Sequence, residues 1–120
     1  MAEDKNTIGL TDANKAIMDQ IVEKAGFQHD MDAAKFAFAL AISRGHQPGR
    51  AEGAKTIWNV GSFDAGGELK GLVQNLFPNV ETPYRAVESL VNIGFGVLAE
   101  EMKKKPALRV EDLLKKEATV

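Results

Sequence analysis

The most apolar stretch of the chain runs from Asp30 to Gly45 and reads DMDAAKFAFALAISRG. Only Asp32 and Lys35 interrupt its apolar residues before Ser43. The pattern predicts a helix that is capped by Asp30 or Asp32 and that ends at Gly45. A helix that is apolar on every side must be covered on every side. In a chain of 120 residues, we expect a second subunit to provide part of that cover.

The segment before this helix predicts a short strand followed by an amphipathic helix. Residues 6–10 (NTIGL) place Ile8 and Leu10 on one face of an extended segment. Thr11 is a suitable N-cap, and apolar residues then recur at helical spacing until Gly26, which supplies a C-terminal stop. The first part of the chain is therefore expected to form a strand, a helix, a glycine turn and a second helix.

A loop and an extended arm are predicted after the apolar helix. Three glycines and a proline mark residues 45–55 as a loop. The β-branched and aromatic residues of the next segment, 56–63 (TIWNVGSF), favour a strand or an extended arm. Trp58 is expected to anchor this arm in the core or in a subunit interface, and base stacking is the weaker alternative.

Two further helices are predicted in the second half of the chain. The first covers residues 68–77 and ends before a proline. The second covers residues 83–104, where a threonine cap precedes Pro83 at the first helical position. Because Gly94 and Gly96 lower helix propensity, we expect both to mark a close contact between helices.

Composition indicates one mainly α domain at residues 1–105, followed by a polar C-terminal tail at residues 106–120. Apolar residues make up 44% of the chain and charged residues 27%, which is typical of globular proteins. The absence of cysteine excludes disulfide scaffolds and zinc–thiolate sites. The sequence shows neither the pattern of a signal peptide nor an apolar stretch of about 18 residues. We therefore expect a cytoplasmic protein without a membrane partner.

No catalytic or cofactor motif is found in the sequence. Residues 49–56 (GRAEGAKT) superficially resemble a phosphate-binding loop, but three residues rather than four separate the glycines, and the lysine does not follow the second glycine directly. His29 and His46 flank the apolar helix at opposite ends, roughly 22 Å apart for about fifteen residues. They cannot share a metal within one subunit. We expect a non-enzymatic protein with no cofactor and no metal.

Cationic residues cluster in the loop that follows the apolar helix. Arg44, Arg50 and Lys55 are accompanied there by one acidic residue, Glu52, in a glycine-rich frame. Such side chains, together with backbone N–H groups, can contact the phosphates of a nucleic acid. The alternative is a loop that is merely solvated.

The order of strand, helix, glycine turn and helix resembles the ribbon-helix-helix arrangement. The matching segments are TIGLTDANKAIMDQIVEKAGF and MDAAKFAFALAISRG, and the resemblance covers roughly residues 5–45. The same succession of leucine–threonine, glycine and spaced alanines is similar to the small DndE-type proteins of DNA sulfur-modification systems. The resemblance implies strands paired antiparallel between subunits, an intertwined dimer, and DNA association with Lys5, Thr7 and Arg44 near the duplex.

Two functions of different class follow from these observations. The first is a DNA-associated accessory or regulatory protein that acts as a dimer or higher oligomer. The alternative is a structural or interaction subunit of a larger complex with no direct nucleic-acid contact. The candidate partners are a second copy of the chain, duplex DNA and other proteins of the same system.

Each function assigns residues to a surface. Because the formal net charge is −2, a DNA contact surface must concentrate its cations. The predicted nucleic-acid-binding residues are Lys5, Thr7, Arg44, Arg50 and Lys55. The predicted interface residues are Phe36, Phe38, Leu40 and Trp58.

Overall fold

A computed structural model describes residues 3–104 and shows a mainly helical fold with one two-stranded antiparallel sheet. This confirms that the fold is mainly α, whereas the tail predicted at residues 106–120 lies outside the described residues. No helix within the described range is long and apolar enough to cross a membrane. The elements are β1 (Thr7–Leu10), α1 (Asp12–Ala25), α2 (Asp30–Ser43), β2 (Lys55–Asn59), α3 (Val60–Phe63), α4 (Glu68–Leu76) and α5 (Pro83–Lys104).

The ends of α1 follow the predicted capping residues. The hydroxyl oxygen of Thr11 accepts a hydrogen bond of 3.2 Å from the backbone N–H of Asn14. Gly26 ends the helix in the left-handed conformation, with φ of 76°, which a side chain would disfavour. Both the predicted start and the predicted stop of this helix are confirmed.

The start of α2 differs from the prediction. Its N-cap is His29, which makes no side-chain capping bond, so the assignment of Asp30 or Asp32 as the cap is wrong. Both aspartates lie in the first turn instead. There their carboxylates stabilise the helix through its dipole rather than by capping a backbone N–H group.

The apolar helix α2 is covered largely by its own chain. Its main neighbour is α5, and its buried residues include Phe38 and Leu40, which are 1% and 4% exposed. Phe36 remains partly exposed, with its ring 5.8 Å from that of Phe27. The alanines of α2 provide the close approach, because they add little bulk between the helix axes. Much of the cover that we expected from a second subunit is therefore supplied by α5.

Gly94 marks the closest approach of α2 and α5. A side-chain Cβ at this position would overlap the backbone carbonyl oxygen of Ala37, so only glycine fits. This confirms the close contact that the sequence predicted at Gly94. The same prediction is wrong for Gly96, which is exposed and has open space where a Cβ would lie.

The extended arm is shorter than predicted. Strand β2 pairs antiparallel with β1, with Ile8 opposite Trp58 and an irregularity in register after Ile8. The chain then leaves the sheet, and Val60–Phe63 form the short helix α3 rather than continued strand. The last ladder bond joins the Val60 N–H to the Asn6 carbonyl at 3.0 Å, after which the Val60 carbonyl accepts from the Asp64 N–H.

Trp58 occupies the core, the first of the locations expected for it. Its side chain is 8% exposed, and its ring lies 5.1 Å from that of the fully buried Phe63. A ring buried to this degree has no free face on which a base can stack. The base-stacking alternative for Trp58 is therefore wrong.

Replacing Gly94 and Gly96 by alanine gives a matched test of the α2–α5 contact. Gly94→Ala should destabilise the protein by about 1–3 kcal/mol or more, because the methyl group meets backbone rather than a movable side chain. Gly96→Ala should stabilise it by about 0.5–1 kcal/mol, because alanine favours the helix. Denaturant unfolding of both variants measures the difference. Equal stability of the two variants would contradict the packing described.

Candidate functional site

Two side chains of α5 close the edge of β1 that does not face β2. The Glu88 carboxylate accepts a 2.9 Å hydrogen bond from the Gly9 backbone N–H. One helical turn later, the Asn92 amide donates to the Gly9 carbonyl at 3.1 Å and accepts from the Thr11 N–H at 3.1 Å. Backbone groups that another strand would bond are therefore satisfied by side chains of the same chain.

Lys5, predicted to contact DNA, lies against this buried group. Its ammonium is 2.5 Å from Glu88 Oε2, and the side chains of Lys5 and Glu88 are 24% and 3% exposed. A buried carboxylate without a counter-ion is costly. The structure therefore places the charge of Lys5 where it neutralises Glu88 and holds the N-terminal segment to α5.

The resemblance to ribbon-helix-helix proteins implied that β1 pairs with a strand of a second subunit, and the pairing of β1 in the structure can be compared with that expectation. β1 pairs with β2 of the same chain, and Gly9 is bonded to α5 on the other side. An intersubunit ribbon at β1 would have to replace one of these two sets of bonds. Thr7 is the first residue of β1. It is partly exposed, and its hydroxyl oxygen is 3.3 Å from that of Thr56 on β2.

The other predicted nucleic-acid-binding residues lie in different surroundings. Arg44 ends α2, and its guanidinium is 3.4 Å from the Glu101 carboxylate, with side-chain exposures of 22% and 9%. Lys55 opens β2, and its ammonium is 3.1 Å from the Asp12 carboxylate in a fully solvated pair. Such surface pairs contribute about 0–1 kcal/mol, so Lys55 can exchange Asp12 for another anion at little cost. Arg44 is held more firmly.

Arg50 and Arg85 line one open groove, which we call the arginine groove. It has a volume of about 280 Å³ and is lined by Pro48, Gly49, Arg50, Val80, Glu81, Thr82, Arg85 and Ala86. The Gly49 N–H donates to the Ser89 hydroxyl at 2.9 Å, which fixes the loop against α5 beside the groove. Within residues 3–104, neither guanidinium of this groove forms an ion pair.

Arg85 was missed by reasoning from the sequence. It stands 35 positions after Arg50, which lies in a loop, whereas Arg85 lies in α5, and no local pattern connects the two. The one available signal was the Thr82–Pro83 helix start, which places Arg85 in the first turn of α5. Arg85 and Arg50 line the same groove because of the path that the loop takes over α5. No local sequence pattern encodes that path.

The N-terminus of α5 is occupied by a carboxylate of the chain itself. Asp4 accepts hydrogen bonds from the backbone N–H groups of Tyr84 and Arg85, at 2.9 and 3.0 Å. These bonds use the donors and the dipole that would otherwise attract an anion there. An anion in the arginine groove therefore cannot use these two backbone donors.

Asp64 accepts hydrogen bonds from backbone N–H groups at the start of α4, as Asp4 does at the start of α5, and it also binds Tyr84. Its buried carboxylate accepts from the backbone N–H groups of Leu69 and Lys70, at 2.9 and 3.1 Å. The Tyr84 hydroxyl donates to the same carboxylate at 3.0 Å. Burial raises the pKa of Tyr84, and the hydrogen bond to Asp64 and the negative charges of Asp64 and Asp4 raise it further.

The described residues offer few other candidates for binding a metal ion or a ligand. Within residues 3–104, no group of three or more histidine, aspartate or glutamate side chains is arranged to hold a metal ion. His29 and His46 are exposed and lie just before and just after α2. The arginine groove, with two guanidinium groups and one carboxylate in its lining, is the candidate ligand site.

Comparisons with protein-family models, with curated proteins and with solved structures give no match for this chain. The function must therefore be argued from the site itself.

Removing the charge of Lys5 tests its structural role. Lys5→Met should destabilise the protein by about 1–3 kcal/mol, because the Glu88 carboxylate then stays buried without a counter-ion. Adding Glu88→Gln should recover part of the loss, since the amide oxygen can still accept from Gly9. Lys15→Met, in an exposed pair with Asp19, is the control and should change stability by less than about 0.5 kcal/mol. If denaturant unfolding shows the same small stability change for Lys5→Met as for the control, the structural role of Lys5 is refuted.

Tyr84 is the single tyrosine of the chain, so an ultraviolet titration reports on it alone. We expect its midpoint above the ordinary value of 10.0, and Asp64→Asn should lower it. Because the folded-state pKa is raised, the associated stability is present below pH 10.0 and is lost as pH rises through the folded-state pKa. The Tyr84→Phe variant should lose less stability than the wild-type protein as pH rises through the folded-state pKa of Tyr84. A midpoint at or below 10.0 would contradict the environment described.

Proposed function

We propose that this chain is a small, non-enzymatic, DNA-associated accessory or regulatory protein that acts as a dimer or higher oligomer. The observation that carries the proposal is the arginine groove, where Arg50 and Arg85 line one open surface without ion pairs within residues 3–104. In this proposal the groove contacts the phosphate backbone of duplex DNA. Lys55, exposed at the start of β2, adds a third cation.

The chemistry of the groove suits a phosphate. Two guanidinium groups offer planar sets of donors that match phosphate oxygens, and arginine keeps its charge at any physiological pH. Glu81 is the acidic residue that lines the groove, and it disfavours anions placed close to its own side. Arg50 and Arg85 both line the groove, so we assign the phosphate to these two guanidinium groups.

The proposed contact positions the protein on DNA rather than reading a sequence. Phosphate contacts fix orientation but carry no base information. Trp58 and the edge of β1 are both engaged within the chain, so neither supplies a base contact in this proposal. Lys5 and Arg44 act as counter-ions of Glu88 and Glu101, and the DNA contact falls to Arg50, Lys55 and Arg85.

Self-association fits this proposal because the chain has a net charge of −2. One arginine groove neutralises few phosphates, and binding strength grows with the number neutralised. A dimer carries two such grooves without a change in net charge per chain. We propose that DNA binding is useful only in the oligomer.

The double variant Arg50→Ala/Arg85→Ala tests the proposal. Fluorescence anisotropy with a labelled duplex, repeated over a series of salt concentrations, gives both affinity and its salt dependence. The variant loses two phosphate contacts per chain and four per dimer, so the slope of log K against log salt should fall by about 4 for the dimer, and binding should weaken about tenfold or more at low salt. Thermal melting of the variant confirms that it is folded.

Lys15→Ala/Lys24→Ala, on α1, is the matched control, because it removes the same charge from exposed positions. The control should retain most of the slope. An equal loss in the control would assign the effect to overall charge rather than to the groove. If the wild-type protein does not bind duplex DNA at about 50 mM salt, the DNA proposal fails and the interaction-subunit alternative replaces it.

A further inference from the structure

Helix α4 carries an exposed apolar pair that the core does not use. Leu72 and Leu76 are 40% and 46% exposed, and they are the large apolar residues exposed in the described chain. They stand one turn apart on the same side of α4, whereas Val73 faces the core. Residues 71–80 contain no charged residue, although 27% of the whole chain is charged. The segment that carries the pair is therefore free of charge, and Glu68 is a charged residue on the same side of α4, one turn before Leu72.

An uncharged groove lies beside this pair. Its volume is about 290 Å³, and it is lined by Gln47, Pro48, Leu76, Phe77, Pro78, Asn79 and Val80. Leu76 belongs both to the exposed pair and to the wall of the groove. An apolar projection and an uncharged hollow, partly lined by the polar side chains of Gln47 and Asn79, thus lie next to each other on one face. We call this surface, Leu72 with the groove and Leu76, the α4 patch.

We propose that the α4 patch is the site at which a second copy of this chain docks. In a two-fold interface, the same surface meets itself, so like charges face each other across the axis. A surface without charge avoids that repulsion. A projection beside a hollow also meets its own complement when rotated by two-fold symmetry, so Leu72 and Leu76 of one copy can fill the groove of the other.

The inference deepens the oligomeric part of the proposed function and relocates its interface. Of the interface residues that the sequence suggested, Phe36 is partly exposed, whereas Phe38, Leu40 and Trp58 are 1%, 4% and 8% exposed in a single chain. The buried side chains cannot contact a second subunit while the core stays closed. The α4 patch is exposed in the folded chain and needs no rearrangement.

The position of the α4 patch connects self-association to the arginine groove. Pro48 and Val80 line both grooves, so the two surfaces are contiguous. Docking at the α4 patch would therefore place the two arginine grooves near the junction of the dimer. Self-association at this surface brings four guanidinium groups, two from each chain, to one region.

Analytical ultracentrifugation over a range of protein concentrations tests the inference. The wild-type protein should dimerise, and Leu72→Glu/Leu76→Glu should raise the dimer dissociation constant by at least about tenfold. Ala16→Glu/Gln20→Glu is the control, because both residues are exposed on α1 and the added charge is the same. It should dimerise like wild type. A wild-type monomer at every concentration, or an equal loss in the control, would overturn the inference.

The absence of cysteine allows a second measurement that does not depend on a disruptive variant. A single Leu72→Cys thiol should react with maleimide more slowly as protein concentration rises, because the second copy covers it. Ala16→Cys should react at a constant rate. If Leu72→Cys also reacts at a constant rate while the protein dimerises, the interface lies elsewhere and the inference is wrong.

The same variants separate this inference from the DNA proposal. A protein that dimerises through the α4 patch but does not bind duplex DNA would refute the DNA proposal alone. A monomeric protein that binds duplex DNA through Arg50 and Arg85 would refute the α4 docking site and the oligomeric part of the proposed function, and would leave the DNA contact standing.

Discussion

The hydrogen bonds from Glu88 and Asn92 to β1 are the interactions on which the rest of the structure depends. They attach β1 to α5 through side chains, and β1 in turn holds β2 by strand pairing. The buried carboxylate of Glu88 requires Lys5 as its counter-ion. The N-terminal segment, the sheet and α5 therefore form one unit, and a single helix supplies the partners that a third strand would otherwise provide.

The arginine groove is a consequence of this arrangement. The loop after α2 must return along α5 to reach β2, because β2 is fixed beside β1. On the way, Gly49 bonds Ser89 and Arg50 comes to line the groove with Arg85. Asp4 already occupies two of the backbone donors at the start of α5, and the cationic groups that line the groove are the two guanidinium groups. The proposed contact is thus made by side chains on a scaffold that is complete within one chain.

Local signals in the sequence predicted the helices well, whereas the sequence did not predict the contacts between residues that are distant in the chain. The Thr11 cap, the Gly26 stop and Pro83 each act within one turn of their own position, so their effects are visible in the sequence. The cover of α2 by α5, the pairing of Lys5 with Glu88 and the meeting of Arg50 with Arg85 join residues far apart in the chain. No periodicity or cap encodes such contacts. The same limit explains why α2 suggested a second subunit, since its apolar surface does not reveal which helix covers it.

Hydrogen exchange at the Gly9 and Thr11 amides, followed by NMR, tests most directly whether α5 closes β1 within the chain. Both amides are bonded to α5 side chains, so both should exchange as slowly as the core amides of α5 and only through global unfolding. Their protection should be the same at low and high protein concentration, because no second chain is involved. Rapid exchange at Gly9, or protection that appears only as concentration rises, would show that the edge of β1 is open in the single chain and would contradict the account.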